Sequence, residues 1–315
     1  MPDPRIVSVI IATYNQEAIV GRAIESALRQ ITDFPVEVVV GEDCSTDNTR
    51  AVVSQYAMQY PDRVRVLANP ENLFIQRNMV SMMRAAEGRY IAWLDGDDYW
   101  TDPAKLQMQV EFLEANPSYS ACCHNVRLVT VEGQTSADCY PGVPAGEKTL
   151  EDLIVENFVA SPSIVFRNRL VDRIPDWYFT DSLTDWPLWM ILAQEGPFMH
   201  FADVMADYTL QPRSTWSSRG RLYQCEVEIE FYRRCRTFLP PRYSRLIAAA
   251  EAVRHERQSR EYIAEGDWDA ARRSALLAAS VPDWRDQITD KSRILLEAWT
   301  PSLMTAIRRV RGSAS

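Results

Sequence analysis

The sequence predicts an α/β protein: a mixed, largely parallel sheet flanked by helices, with a helical extension at the C-terminal end. Three observations carry that prediction. Short β-branched runs alternate with stretches of helical periodicity through the first hundred residues. Polar and acidic residues gather at the C-terminal ends of three of those four runs. Beyond about residue 221 the pattern becomes helical only.

Taken in order, residues 6–12 form a continuous apolar run, as expected of a strand buried on both faces. A helix over about 18–31 follows, with Ile19, Ala23, Ile24, Ala27 and Leu28 on one stripe, and Pro35 breaks it. Residues 36–40 read as the second strand. Ser45 or Asp47 is placed to cap a helix that buries Val52, Val53, Tyr56 and Tyr60. The third strand spans 64–67, and a helix over 76–87 is expected to stop at Gly88 as a left-handed terminator. Residues 90–94 make the fourth strand, and such βαβ alternation implies right-handed crossovers.

The next helix is expected over 105–113, ended by Asn116-Pro117. Residues 118–225 are less regular, with strands at 121–126 and 163–166 and helices at 150–157 and 186–194. Aromatics are dense there, from Trp177 to Phe201, and most are expected in the core. Helices at 254–265 and 270–280, separated by Gly266-Asp267-Trp268, read as a hairpin. The expected division is a catalytic domain over 1–220, with halves at about 1–115 and 116–220, and a helical region over 221–315.

The chain of 315 residues is 46% hydrophobic and 24% charged, which excludes wholesale disorder. A net charge of -9 argues against a nucleic-acid partner, whose footprint is normally basic. Six cysteines make no C-x-x-C pair and three scattered histidines make no zinc pattern, so reduced, mostly buried thiols are expected. No charged-then-apolar leader pattern opens the sequence, and no apolar run approaches the ~18 residues of a membrane span. A cytoplasmic chain is expected. The run from Lys291 to Ser315 holds five basic residues and one acidic, beside an apolar stripe of Trp299, Leu303, Met304, Ile307 and Val310. That segment is open to three uses: packing on the domain, homo-oligomerisation, or peripheral contact with the inner face of the cell membrane.

The chemistry-bearing residues lie at the strand ends. Thr13-Tyr14-Asn15 follows the first strand, Gly41-Glu42-Asp43 the second, and Asp95-Gly96-Asp97-Asp98 the fourth. Two carboxylates one residue apart on a turn suit a divalent cation, which takes oxygen ligands and completes its shell with phosphate and water. No P-loop and no G-x-S-x-G occurs.

The segments 7–15, 41–47 and 93–100, in that order and spacing, resemble the inverting family 2 glycosyltransferases of the GT-A fold. The resemblance is close over about 5–120 and looser through Asp185 and 208–217. It implies that Ala12, Thr13 and Tyr14 border a nucleotide-diphospho-sugar donor, that Asp43 accepts from the base, and that Arg77 lies beside the nucleotide. It also implies that Asp95 contacts ribose or metal, and that Asp97 ligates the Mn²⁺ or Mg²⁺ bridging the diphosphate. Asp185, in Thr184-Asp185-Trp186, matches the catalytic base; an N-cap role there is compatible. The acceptor implied is a surface polysaccharide or lipid-linked glycan, with Trp186, Arg213 and Trp216 as candidates for acceptor contact or a lid over 208–217.

Two departures stand out. Phe74 occupies a position often held by Gly, and Thr209 and Gln211 stand where the pattern has Arg and His, leaving Arg213 as the substitute cation. Two other functions stand beside this one. A sugar nucleotidyltransferase would need a Gly-rich basic loop after the first strand, which Thr13-Tyr14-Asn15-Gln16-Glu17 is not. A sugar-nucleotide-binding interaction protein would not need Asp43, Asp95, Asp97 and Asp185 intact.

Overall fold

The computed structural model describes residues 7–140, 142–169, 171–211, 216 and 219–282. The described residues fall into two compact units: those within 1–149, 159–180 and 184–209 in one, and those within 150–158, 181–183 and 210–282 in the other.

The first unit is built on the sheet. Strands β1 (Val7–Thr13), β2 (Val36–Glu42), β3 (Val64–Ala68) and β4 (Tyr90–Asp95) alternate with helices α1 (Val20–Leu28), α2 (Thr49–Gln59) and α3 (Phe74–Ala85). Then come β5 (Tyr99–Trp100), α4 (Lys105–Ala115), β6 (Ala121–Thr130), β7 (Thr135–Tyr140) and β8 (Gly146–Lys148). The second unit takes α5 (Leu150–Val155), and the first resumes with β9 (Val165–Arg167), α6 (Trp186–Leu192) and β10 (Phe198–Leu210). Among the described residues the sheet runs β3-β2-β1-β4-β9-β6-β10-β5, with β7 beside β6 and β8 beside β10. The β3-β2-β1-β4 block is parallel and the pairings from β4 to β9 and onward from β9 to β6 are antiparallel.

Strand β1 is buried along its whole length, as its unbroken apolar run requires of a central parallel strand. The edge strand β3 is only half-buried. Helix α2 buries less than the sequence suggests. Val53 is buried, whereas Val52, Tyr56 and Tyr60 are half-exposed, and the Tyr56 hydroxyl donates to Glu25 Oε1 at 2.9 Å. Gly88 is not a left-handed terminator: α3 ends at Ala85 and Ala86 turns extended. Its small size is needed for close packing instead, because a Cβ there would lie 2.5 Å from the Ser8 amide nitrogen. The Gly88 amide donates to Ser8 Oγ at 2.8 Å.

The second unit is helical: α5 with α7 (Arg221–Phe238), α8 (Ser244–Glu265) and α9 (Trp268–Ala279). Gly266 at φ 82° closes α8, and Asp267 caps α9 by accepting from the Ala270 amide at 2.9 Å. Val155 packs with Ala249, Ala252, Val253 and Ala278. Arg254 is wholly buried, donating to Glu228 at 2.8 Å, Glu156 at 3.0 Å and the Val155 carbonyl at 2.7 Å. The segment from Lys291 to Ser315, with its expected membrane or oligomer contact, lies outside the described residues. No helix among the described residues is long and apolar enough to cross a membrane. All six cysteines are free thiols, four of them buried.

One buried charge in the first unit is costly. Lys105 is wholly buried on α4, its Nζ donating to Gln109 Oε1 at 2.8 Å and lying 4.2 Å from the centre of the Trp100 ring. Burial pulls its pKa from an ordinary 10.5 down to about 7, with Cys122 and Cys123 opposing weakly. Below the native value both folded and unfolded chains hold the proton, and the cost of burying the charge is complete. Between the two values only the unfolded chain keeps it, so the cost shrinks as pH rises. Lys105→Met is therefore expected to raise Tm near neutrality, with the gain narrowing from about pH 7 to about pH 10. A Tm difference unchanged across that window in paired melts would refute this account.

Candidate active site

Three loops meet at the C-terminal edge of the parallel block, and the backbone of β1 holds them together. Register pairs Ala12 with Gly41 on β2 and with Asp95 on β4, so the loops leave the sheet at one level. The Ala12 carbonyl accepts from the Gly96 amide, and the Thr13 carbonyl from the Asp43 amide, each at 3.0 Å. A Cβ on Gly96 would run into Gln16 Oε1 and approach the Ala12 carbonyl to 2.8 Å, so this turn requires Gly. Ala12 and Thr13 are buried, and Tyr14 is 45% exposed at the rim.

Asp43 is 3% exposed. Its Oδ1 accepts from Asn69 Nδ2 at 2.9 Å and from the Leu73 amide at 2.8 Å. Asn78 on α3 donates to the Gly41 carbonyl at 2.9 Å and accepts from Asn69 at 3.1 Å, completing the brace. Next to Asp43, Glu42 is buried and bonded to the Ser45 amide and to Arg50 Nε. Burial alone would raise its carboxyl, but the Ser45 and Arg50 hydrogen bonds outweigh it and hold the pKa below the ordinary value. Arg77 is exposed, its guanidinium 5.0 Å from the centre of the Phe179 ring.

The acidic turn divides its labour. Asp95 Oδ1 accepts from Trp93 Nε1 at 3.1 Å. Burial raises its pKa, the charge of Asp185 adds to the rise, and hydrogen bonds from Ser161 and Trp93 oppose it. Asp97 is half-exposed, and its backbone carbonyl accepts the Thr209 hydroxyl at 2.5 Å. Asp98 is buried and accepts the Thr209 amide at 2.7 Å, tying the turn to β10. Burial first, then repulsion from Asp97 and Asp95, pushes its carboxyl well above the ordinary range. Thr209, where the resemblance has Arg, thus acts as a strut. Asp185 is the N-cap of α6, accepting the Trp186 amide at 2.7 Å, and Trp186 behind it in sequence is buried.

Sequence reading set Tyr208 at the start of the 208–217 segment and gave it no role of its own. Burial, then the charges of Asp98, Asp95, Asp97 and Asp185, raise its phenol well above the ordinary value. Its signal was weak, because β10 lacks the clean alternation that marks a strand. Ala12, Thr13, Tyr14, Asp43, Arg77, Asp95, Asp97 and Asp185 all belong to the first unit, whereas Trp216 belongs to the second. Arg213 lies outside the described residues, as do positions 212, 214, 215 and 217 of the expected lid, whereas Tyr208, Thr209 and Leu210 are strand and not lid: they end β10, with Thr209 bonded to the acidic turn.

Among the described residues no group of three His, Cys, Asp or Glu side chains is arranged to hold a metal ion. The acidic turn offers two carboxylates, Asp95 and Asp97, with Asp98 committed to Thr209. Such an all-oxygen pair fits Mg²⁺ or Mn²⁺ that draws its other ligands from substrate phosphates and water.

A parallel block joined to antiparallel strands, with an acidic turn after its fourth strand, defines a protein of the GT-A fold. Residues 8–174 match the family described as Glycosyl transferase family 2, and the chain belongs to that family. An uncharacterized protein of Mycobacterium tuberculosis is 32% identical over 212 residues, covering 67% of this chain. The chain spans 60% of that relative's length. The UDP-Glc:alpha-D-GlcNAc-diphosphoundecaprenol beta-1,3-glucosyltransferase WfaP of Escherichia coli is 34% identical over 109 residues, 35% of this chain and 41% of that protein. Among solved structures, the mannosyltransferase PcManGT from Pyrobaculum calidifontis, in complex with GDP-Man and Mn²⁺, superposes with a TM-score of 0.62 at 19% identity. That match covers 98% of this chain and 88% of PcManGT.

The strut role of Asp98 has a direct test. Asp98→Asn keeps an acceptor for the Thr209 amide and removes a crowded charge, so urea melts without added metal should show stability held or raised. Asp98→Ala leaves that amide unpaired and should cost about 1–3 kcal/mol. Equal losses in both variants would mean that the charge itself is needed.

Proposed function

We propose that the chain is a metal-dependent, inverting glycosyltransferase. It moves a sugar from a nucleoside-diphosphate donor to a hydroxyl of a glycan or lipid-linked acceptor, in cell-surface polysaccharide or lipid-linked glycan synthesis. The observation that carries this reading is the gathering of Asp43, Asp95, Asp97 and Asp185 on one unit of a family 2 chain, with Asp185 near enough to Asp95 to raise its pKa. Relatives support its terms: WfaP is named for a UDP-glucose donor and an undecaprenol-diphosphate-linked acceptor, and PcManGT was solved with GDP-Man and Mn²⁺.

Asp43 is assigned to the base: the Asn69 and Leu73 hydrogen bonds both fall on Oδ1 and fix the direction of the carboxylate, and Oδ2 is the oxygen that would accept from the ligand. Tyr14, Ala12 and Thr13 border the nucleotide, and Arg77 supplies a cation beside it. Asp95 and Asp97 would hold the divalent ion, which as a Lewis acid offsets charge on the departing diphosphate. Asp185 takes the acceptor hydroxyl proton as the oxygen attacks C1. The bond from C1 to the diphosphate oxygen breaks in the same displacement, and configuration inverts. The cap bond to the Trp186 amide fixes the direction in which this carboxylate points. Work on the cytoplasmic side of a membrane, with the basic segment from Lys291 to Ser315 touching anionic lipid, belongs to the same reading.

Calorimetry with UDP, GDP and dTDP, each with and without Mn²⁺, identifies the nucleotide. Asp185→Asn is then expected to lower sugar transfer by about a hundredfold or more while nucleotide affinity stays near the native value. Normal turnover by that variant sinks the base assignment.

A further inference from the structure

Strand order places the loops after β1 and β3 on either side of the loop after β2. The middle loop carries Asp43, buried and with one carboxylate oxygen engaged. Each flanking loop presents an exposed aromatic: Tyr14, which directly follows β1, and Phe74, which opens α3 and is 73% exposed. Phe74 is tied to the same point, because the amide of its neighbour Leu73 donates to Asp43 Oδ1 at 2.8 Å. Four residues beyond Phe74, α3 turns inward the face that carries the buried Asn78. Asn78 bonds to the Gly41 carbonyl and to Asn69, so this face of α3 looks onto the Asp43 loop.

The backbone adds a second observation. Phe74 sits at φ 62°, held by its amide donating to Asn72 Oδ1 at 2.9 Å. Bulky L side chains rarely adopt that conformation. Among the described residues the other non-glycines with positive φ are Asn15 and Cys44, in the loops after β1 and β2, so all three lie on one rim. Such conformations cluster at ligand sites. A large ring is thus held in an unfavourable backbone position, uncovered, beside a buried acceptor.

We propose that Phe74 is a specificity-determining residue for the donor: its ring covers the planar base that Asp43 binds, opposite Tyr14, so that two aromatics form a slot. This rests on the donor site of the proposed function and adds to it a wall that Gly would not supply. Stacking on an aromatic face favours a heterocycle, while the carboxylate oxygen selects a base with a donor edge.

The test uses the whole chain and whichever of UDP, GDP or dTDP the native protein binds most tightly with Mn²⁺. Phe74→Gly suits the left-handed φ, so Tm should hold or rise, and affinity for that nucleotide should fall about tenfold. Binding of inorganic pyrophosphate, which has no base, should not change. Phe74→Leu should bind as weakly as Phe74→Gly, and Phe74→Tyr should restore native affinity. Equal nucleotide affinity in native protein and Phe74→Gly overturns the role of Phe74 alone, as does a parallel loss of pyrophosphate binding. A native protein that binds none of the three nucleotides overturns the donor site, and this inference with it.

Discussion

Everything at the candidate site depends on the last two carbonyls of β1. Ala12 and Thr13 end a buried central strand, and their oxygens receive the amides of Gly96 and Asp43 from the loops on either side. Parallel pairing would stop at the strand ends, but these two bonds extend it into the loops and hold both acidic segments. The arrangement needs residues without side chains at the crowded points. A Cβ on Gly41 would collide with Asn78 Oδ1 and come within 2.7 Å of Met82 Sδ, and one on Gly96 would strike Gln16. Register in a sheet buried on both faces is strongly specified, so the level at which the loops emerge follows from core packing.

The same constraint creates an electrostatic problem. Holding the acidic turn close to β1 crowds Asp95, Asp97 and Asp98 where water is scarce, with Asp185 adding its field. Buried charges are tolerated when paired or hydrogen-bonded, and Asp95 and Asp98 each have such partners. Asp98 is compensated by the Thr209 amide, and Asp95 by Trp93 and Ser161. The elevated pKa values of Asp95 and Asp98 express what is left over. A site tuned to a cationic ligand carries this kind of imbalance, which is why the acidic turn reads as functional and not merely as a loop.

Much of this was legible because it is local. β1, β2 and β4 announce themselves as short β-branched runs, and the Asp-rich turn follows the last of them in sequence. What was not legible depends on distant partners. Gly88 looked like a helix terminator, since the amide of Ser8 that it must pack against lies 80 positions away. β10 was missed because residues 202–204 are exposed and polar-interrupted, which erases the alternation. Thr209 and Tyr208 were therefore read as part of a lid and not of a strand, since they reach the acidic turn only through the antiparallel return of the chain. Phe74 was visible as a departure from the family pattern, but its left-handed backbone was not.

The helical unit obeys a different logic. Its segment Leu150–Phe158 precedes α8 by about a hundred residues and comes from the middle of the half in which the sequence placed it. An apolar contact such as Val155 against Ala249 and Ala252 would tolerate sliding along α8. Arg254 does not tolerate it. Its guanidinium must meet Glu156, Glu228 and the Val155 carbonyl together, with the Tyr232 ring 5.3 Å from its centre. Any other register leaves a buried cation unpaired, at a cost of about 3–5 kcal/mol. The network therefore selects one alignment of α5 against α8 more than it adds net stability, as expected for ion pairs whose desolvation cancels most of their attraction. Tyr232 reinforces the choice by donating to the Ile154 carbonyl at 2.7 Å, so α5 is fixed through its C-terminal carbonyls, the groups a short helix leaves unsatisfied.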